Sequence, residues 1–148
     1  MKLIEKKEFK IFTISLGFFL GIFSIYFFGD DRIANEWGVM LRNLEEHNIL
    51  SIRKVEGVLI PNVFMPPLYV YFLLSIKKIF FFFNNFLIAV QSIQLFLYIL
   101  SIIIFNKTLR FFYSTFISNI GSFIFALFPL YLYSISQISS IGLQVFLI

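Results

Sequence analysis

The sequence predicts an all-α membrane protein, a polytopic bundle of about 4–5 transmembrane helices with an amphipathic helix in its first external loop. Three observations predict this class. The mean hydropathy is +0.91, 59% of the 148 residues are hydrophobic, and only 14% are charged, against about 25% in soluble domains. A short chain of this composition cannot cover itself with polar surface, so lipid is its natural solvent.

The composition also excludes several classes of site and partner. The chain has no cysteine, which excludes disulfides, cysteine-based zinc sites and thiol nucleophiles. Its 12 Lys and Arg residues give a net charge of +4, but they stand at the ends of apolar runs. That placement is typical of residues that flank membrane spans, so we expect no nucleic-acid partner.

The first predicted span covers residues 11–28, which carry no charge and follow four lysines in the first ten residues. A cleaved signal peptide is the alternative. Its apolar region is usually shorter and ends in a small-residue cleavage site, whereas this one ends in Tyr26-Phe27-Phe28, which favours an uncleaved anchor. The spacing of Gly17 and Gly21 predicts close approach of another helix.

A polar segment, residues 29–65, follows and forms the predicted external loop. Its apolar residues at helical spacing predict an amphipathic helix of about four turns on the membrane surface, with Trp37 at the headgroup level. These residues are Ile33, Trp37, Met40, Leu41 and Leu44. Residues 48–62 are predicted to be irregular or extended.

Later apolar segments predict further spans. Pro66-Pro67 ends any preceding helix and opens the next one. The predicted spans are 68–83, which Lys77-Lys78 interrupts, 86–105, 111–133 and 138–148, with a polar turn at Asn106–Arg110. The last segment is shorter than the roughly 20 residues of a spanning helix. We therefore expect residues 1–148 to form the N-terminal part of a longer transmembrane domain.

The lysines of the N-terminus predict a cytoplasmic N-terminus and an external 29–65 loop. Strict alternation of spans then places Lys77 and Lys78 inside and both Lys107 and Arg110 outside, the latter against the positive-inside rule. Residues with AT-rich codons and the lack of a processing signal favour a bacterial inner membrane.

The carboxylates are confined to the front of the chain. All eight acidic residues precede residue 57, and His47 is the one histidine, so a general base or metal ligand must come from this region. Asp30 and Asp31 lie where the first span leaves the bilayer and suit proton abstraction from an acceptor hydroxyl. The alternative is that one of them caps a helix beginning near Arg32.

The remaining polar residues have simpler interpretations. Glu36 lies about one turn beyond Arg32, which predicts a surface ion pair. Arg53-Lys54 suits a phosphate headgroup, with ordinary solvation as the alternative. Because His47 has no second histidine or spaced carboxylate beside it, no metal site is assigned.

The order of these parts resembles the N-terminal region of the GT-C superfamily of membrane glycosyltransferases. The resemblance is to family 39, which includes protein mannosyltransferases and lipid A aminoarabinose transferases. It rests on a basic N-terminus and one span, then Gly29-Asp30-Asp31, Trp37 and the amphipathic helix, then Met65-Pro66-Pro67-Leu68-Tyr69 at the start of the next span. Asp-Asp stands where the family usually has Asp-Glu, and Trp37 where it usually has Tyr.

The resemblance implies transfer of a sugar, with inversion, from a polyprenyl-phosphate donor to a lipid or protein acceptor at the external membrane face. It assigns the general base to Asp31 or Asp30. It implies no cofactor and leaves a divalent metal open. The implied substrate-binding residues are Glu36, Arg53, Lys54, Pro66, Pro67 and Tyr69.

Two alternatives come from other functional classes. A flippase or transporter of lipid-linked sugars would carry ionisable residues within its spans, and here only Lys77-Lys78 lies near one. A small non-catalytic subunit of a larger membrane enzyme would explain the short chain.

Overall fold

A computed structural model of the chain describes residues 7–33, 35–61, 65–80 and 85–148. Lys2 and Lys6, Asn62 at the end of the predicted extended segment, and residues 81–83 of the predicted second span lie outside the described residues. Two compact units are present. We call residues 1–29 with 91–148 the helical unit and residues 30–90 the loop unit.

The described elements are helical apart from one hairpin. In chain order they are α1 (Lys7–Phe28), α2 (Glu36–His47), β1 (Arg53–Val55), β2 (Val58–Ile60), α3 (Pro67–Ile79), α4 (Phe86–Phe112), α5 (Thr115–Ala126), α6 (Pro129–Ser136) and α7 (Ile141–Leu147).

Two helices, α1 with 22 residues and α4 with 27, are long and apolar enough to cross a membrane. The pair α5 and α6 is bent by 49° and makes a third candidate if it is one broken span. Pro129 opens α6 and lacks the N–H that would continue the ladder of α5. The structure is therefore consistent with a membrane protein of two or three candidate spans.

The second predicted span, 68–83, corresponds to α3. At 13 residues, α3 extends about 20 Å, less than the roughly 30 Å of a bilayer core. Its buried face packs against α2. That face consists of Tyr69, Val70, Leu73 and Ile76.

Helix α2 confirms the amphipathic pattern but not its predicted setting. It begins at Glu36, after Ile33, with Asn35 at the N-cap, so neither Asp30 nor Asp31 caps it. Trp37 is only 9% exposed. Helix α3 therefore covers the apolar face of α2, and the headgroup level of Trp37 stays a prediction.

The extended segment after α2 contains an antiparallel hairpin in which Arg53 pairs with Ile60 and Val55 with Val58. Its two-residue turn, Glu56-Gly57, has φ of 51° and 85°. Positive φ at both positions is the requirement of a type I′ turn, whose twist matches that of the strands.

The predicted polar turn at Asn106–Arg110 is wrong, since α4 continues to Phe112. Asn106 Nδ2 donates to Ser118 O at 3.2 Å, Asn119 Oδ1 at 3.1 Å and Ser122 Oγ at 3.0 Å. Polar groups of α5 thus accept from the Nδ2 group of this amide inside the unit, so its N–H groups need no turn toward water.

Gly17 and Gly21 leave space on α1 that side chains of another helix, α4, occupy. A Cβ at Gly17 would lie 2.9 Å from Ile102 Cδ1, and one at Gly21 would lie 2.3 Å from Leu95 Cδ1. Side chains of α4 therefore fill the space above both glycines. Helix α6 also packs on α1, where Ser24 Oγ donates to Leu132 O at 3.0 Å.

The same packing corrects the predicted placement of the later charges. Arg110, near the end of α4, lines one cavity with Lys7 and Lys10 from the start of α1. These cations lie at one end of the helical unit. If α1 and α4 both cross a membrane, Arg110 is on the same side as Lys10, against the predicted alternation.

Gly21→Leu is expected to destabilise the helical unit by about 1–3 kcal/mol, because the added side chain overlaps Leu95. The measurement is the thermal midpoint of the purified chain in detergent. Adding Leu95→Ala should recover part of the loss, and Phe19→Leu, at a position 67% exposed, is the control. A midpoint unchanged by Gly21→Leu would contradict this packing.

Candidate functional site

The carboxylate pair lies in the chain segment between α1 and α2. Asp30 is half-buried and Asp31 is exposed. Helix α1 ends at Phe28, where the Gly29 N–H still donates to Ile25 O at 2.9 Å. Both aspartates therefore follow the first candidate span directly, and Asp31 is open to a solvent-borne acceptor.

An aromatic contact joins α2 to α3. The rings of Trp37 and Tyr69 meet edge to face with centroids 4.9 Å apart, a favoured geometry for aromatic pairs. Tyr69 is 1% exposed and also stacks on Phe72 at 5.7 Å. Tyr69 is thus a core residue of the loop unit, and it can support a binding site there only by holding α2 and α3 together.

Pro66 and Pro67 set the start of α3. Pro66 occupies the N-cap with extended backbone, and Pro67 is the first helical residue, where its missing N–H costs nothing. This confirms the helix-opening role predicted for them. Both rings are exposed.

The hairpin that carries Arg53 and Lys54 is anchored to α2 through a buried serine. Asn43 Nδ2 donates to Ser51 O at 2.7 Å, and Ser51 Oγ donates to the carbonyls of Arg53 and Ile60. Both cationic side chains are exposed. They therefore lie on a fixed backbone with their charges available to a ligand.

The ion pairs of the loop unit differ from the predicted one. Arg32 and Glu36 are both exposed and form no ion pair with each other. Instead, Lys77 Nζ of α3 lies 2.7 Å from Glu45 Oε2 of α2. This pair reinforces the packing of the two helices.

Metal-ligand geometry is absent among the residues that the structure describes, where no group of three or more His, Cys, Asp or Glu side chains could hold an ion. The nearest neighbour recorded for His47 is Glu46 Oε2, at 3.8 Å.

Sequence reasoning missed a set of glutamines in the helical unit. Gln91 Nε2 donates to Ser136 O at 2.9 Å, and Gln94 Nε2 donates to Ser134 O at 3.0 Å and Gln137 O at 2.9 Å. These bonds satisfy carbonyls at the end of the short helix α6. Two glutamines three residues apart within an apolar run were the available signal.

Sequence reasoning also missed two polar features at the other end of this unit. One is the cavity that Lys7, Lys10 and Arg110 share. The other is Asn106 Oδ1, a buried acceptor that has no hydrogen-bond partner in the described structure.

Comparison with family models, with curated proteins and with solved structures finds no match to this chain.

The loop unit therefore combines an exposed carboxylate, fixed cations on a hairpin and a packed aromatic support. A carboxylate accepts a proton, and arginine and lysine neutralise phosphate.

Tyr69→Ala is expected to destabilise the loop unit by about 3–5 kcal/mol, because it removes a buried aromatic side chain. Trp37 is the one tryptophan in the chain, so its fluorescence reports on this contact. We expect a red-shifted emission and a lower urea midpoint. Tyr71→Ala, on the same helix but 49% exposed, is the matched control. Equal effects of the two substitutions would contradict the packing role of Tyr69.

Proposed function

We propose that this chain contributes the acceptor-activating part of a membrane glycosyltransferase of the GT-C type. The reaction is transfer of a sugar from a polyprenyl-phosphate donor to a lipid or protein acceptor. The proposed location is a bacterial inner membrane, with a cytoplasmic N-terminus and residues 29–65 external. No cofactor is required by the residues assigned.

The observation that carries the proposal is the contact between Trp37 and Tyr69. The resemblance to these enzymes has two parts, the acidic pair followed by an aromatic and the Pro-Pro-Leu-Tyr segment. The parts are separated in the sequence by α2 and the hairpin. Their packing in one unit supports treating them as a single functional element.

The proposed chemistry assigns the base to Asp31, with Asp30 as the second candidate. The carboxylate takes the proton of the acceptor hydroxyl while the hydroxyl oxygen attacks the anomeric carbon. The bond from that carbon to the phosphate oxygen breaks, and polyprenyl phosphate leaves with the bonding electrons. Attack opposite the leaving group inverts the anomeric centre. The exposure of Asp31 supports its role, because an acceptor reaches it from water.

The hairpin cations supply the complementary charge in this proposal. Arg53 and Lys54 are exposed on a strand that Ser51 anchors. They would stabilise the charge that develops on the departing phosphate. Glu36, at the start of α2, and the exposed Pro66-Pro67 pair would line the acceptor side without taking a proton.

Asp31→Asn is expected to lower sugar transfer by about 10²–10⁴-fold, the usual contribution of a general base. The assay is transfer of radiolabel from a polyprenyl-phosphate sugar in membranes that contain the chain. Asp30→Asn and the double variant complete the set. Glu56→Gln, in the exposed hairpin turn, is the control, and equal protein levels are verified by immunoblot.

Normal transfer in both single variants and in the double variant would contradict the assignment of the base. Across several donor sugars, transfer no greater than in membranes lacking the chain would contradict the glycosyltransferase proposal for it.

A further inference from the structure

A cavity of about 530 Å³ opens at the basic end of the helical unit. Three of its lining side chains are cationic, Lys7, Lys10 and Arg110, and they come from the start of α1 and the end of α4. The remaining lining residues are Ile11, Ile14 and Thr115. One wall is thus positively charged and the other is apolar.

The cations of this cavity have no carboxylate partner among the described residues. The ion pairs among the described residues are Lys77–Glu45 and His47–Glu46, and both belong to the loop unit. In the described part of the helical unit Glu8 is the one acidic residue, and it does not line the cavity. Like charges that line one cavity favour an anion between them.

Arg110 is attached to a buried amide network. Its Nη2 lies 3.5 Å from Asn119 Oδ1, which also accepts from Asn106 Nδ2 at 3.1 Å. Asn106 and Asn119 are each 1% exposed. A guanidinium has five N–H donors, so this contact leaves enough of them to bind two phosphate oxygens.

The apolar wall decides which anion the cavity suits. Ile11 and Ile14 line the cavity, and Ile11 and its neighbour Phe12 are each 54% exposed on the surface of α1. A free phosphate ion has no apolar part that could contact this surface. A phospholipid can place its headgroup among the cations and its acyl chains along the helix.

We propose that this cavity binds the phosphodiester of an anionic phospholipid. Lys7, Lys10 and Arg110 contact the phosphate, and the exposed apolar surface of α1 contacts the acyl chains. The site lies at the end of the unit that carries the positive charge, the cytoplasmic end under the positive-inside rule. It is independent of the sugar-transfer proposal, which concerns the loop unit.

The test measures lipid retention by the purified chain in detergent, using native mass spectrometry. The probes are phosphatidylglycerol, phosphatidylcholine and inorganic phosphate. The cavity variant is Lys7→Gln with Lys10→Gln and Arg110→Gln. The matched control removes three exposed cations of the loop unit that have no assigned binding role, with Arg32→Gln, Arg42→Gln and Lys78→Gln.

We expect the wild-type chain to bind phosphatidylglycerol in preference to phosphatidylcholine. The cavity variant should lose roughly a hundredfold in affinity for phosphatidylglycerol, about fivefold for each cation removed, while the control variant changes by less than about twofold. If the triple variant does not fold, Arg110→Gln alone should show the fivefold loss.

Equal losses in the cavity and control variants would overturn the proposal, because they would indicate unspecific attraction between charges. Equal retention of the two lipids would also overturn it. Displacement of phosphatidylglycerol by millimolar inorganic phosphate would also overturn the proposal, because it would show that the cavity binds free phosphate and not a lipid.

Discussion

The packing of α4 side chains over the glycines of α1 is the constraint on which the helical unit depends. Because Gly17 and Gly21 have no side chains, Leu95 and Ile102 lie directly above the backbone of α1. In lipid there is no hydrophobic drive between helices, so close van der Waals packing of this kind supplies much of their association. The contact also fixes direction: α1 and α4 run antiparallel, with Lys10 and Arg110 at the same end.

The broken helix formed by α5 and α6 packs in the helical unit with its backbone carbonyls near the break hydrogen-bonded by polar side chains of α4. The break at Leu127 and Phe128 interrupts the hydrogen-bond ladder, and an unsatisfied carbonyl is costly in a bilayer. Tyr98 donates its hydroxyl proton to Ala126 O before the break. Gln94 and Gln91 donate to carbonyls at the end of α6. The polar groups within these apolar helices are therefore structural.

Local patterns predicted the features whose cause is local. The glycine spacing of α1, the proline start of α3 and the apolar face of α2 each follow from the steric or periodic properties of a few neighbouring residues. The extension of α4 through Asn106 was not predictable, because the groups that accept from its Nδ2 lie on α5. The packing of α3 against α2 was not predictable for the same reason, since it is a tertiary contact.

Some features of the candidate site could likewise be predicted from the sequence, and others could not. Counting carboxylates was enough to direct attention to Asp30 and Asp31, because the chain beyond Gly57 has no Asp, Glu or His. The support that Trp37 and Tyr69 provide needed the structure, as did the basic cavity. Lys10 and Arg110 are far apart in sequence, and each alone resembles an ordinary residue that flanks a span.

Cysteine accessibility tests the antiparallel arrangement of α1 and α4 most directly, and the chain has no native cysteine to interfere. Glu56→Cys reports on the segment between the two candidate spans, and Lys107→Cys reports on the far end of α4. In intact cells, a membrane-impermeant maleimide should label Glu56→Cys but not Lys107→Cys, and permeabilisation should expose both. Labelling of both positions in intact cells would place them on the same side and contradict the arrangement.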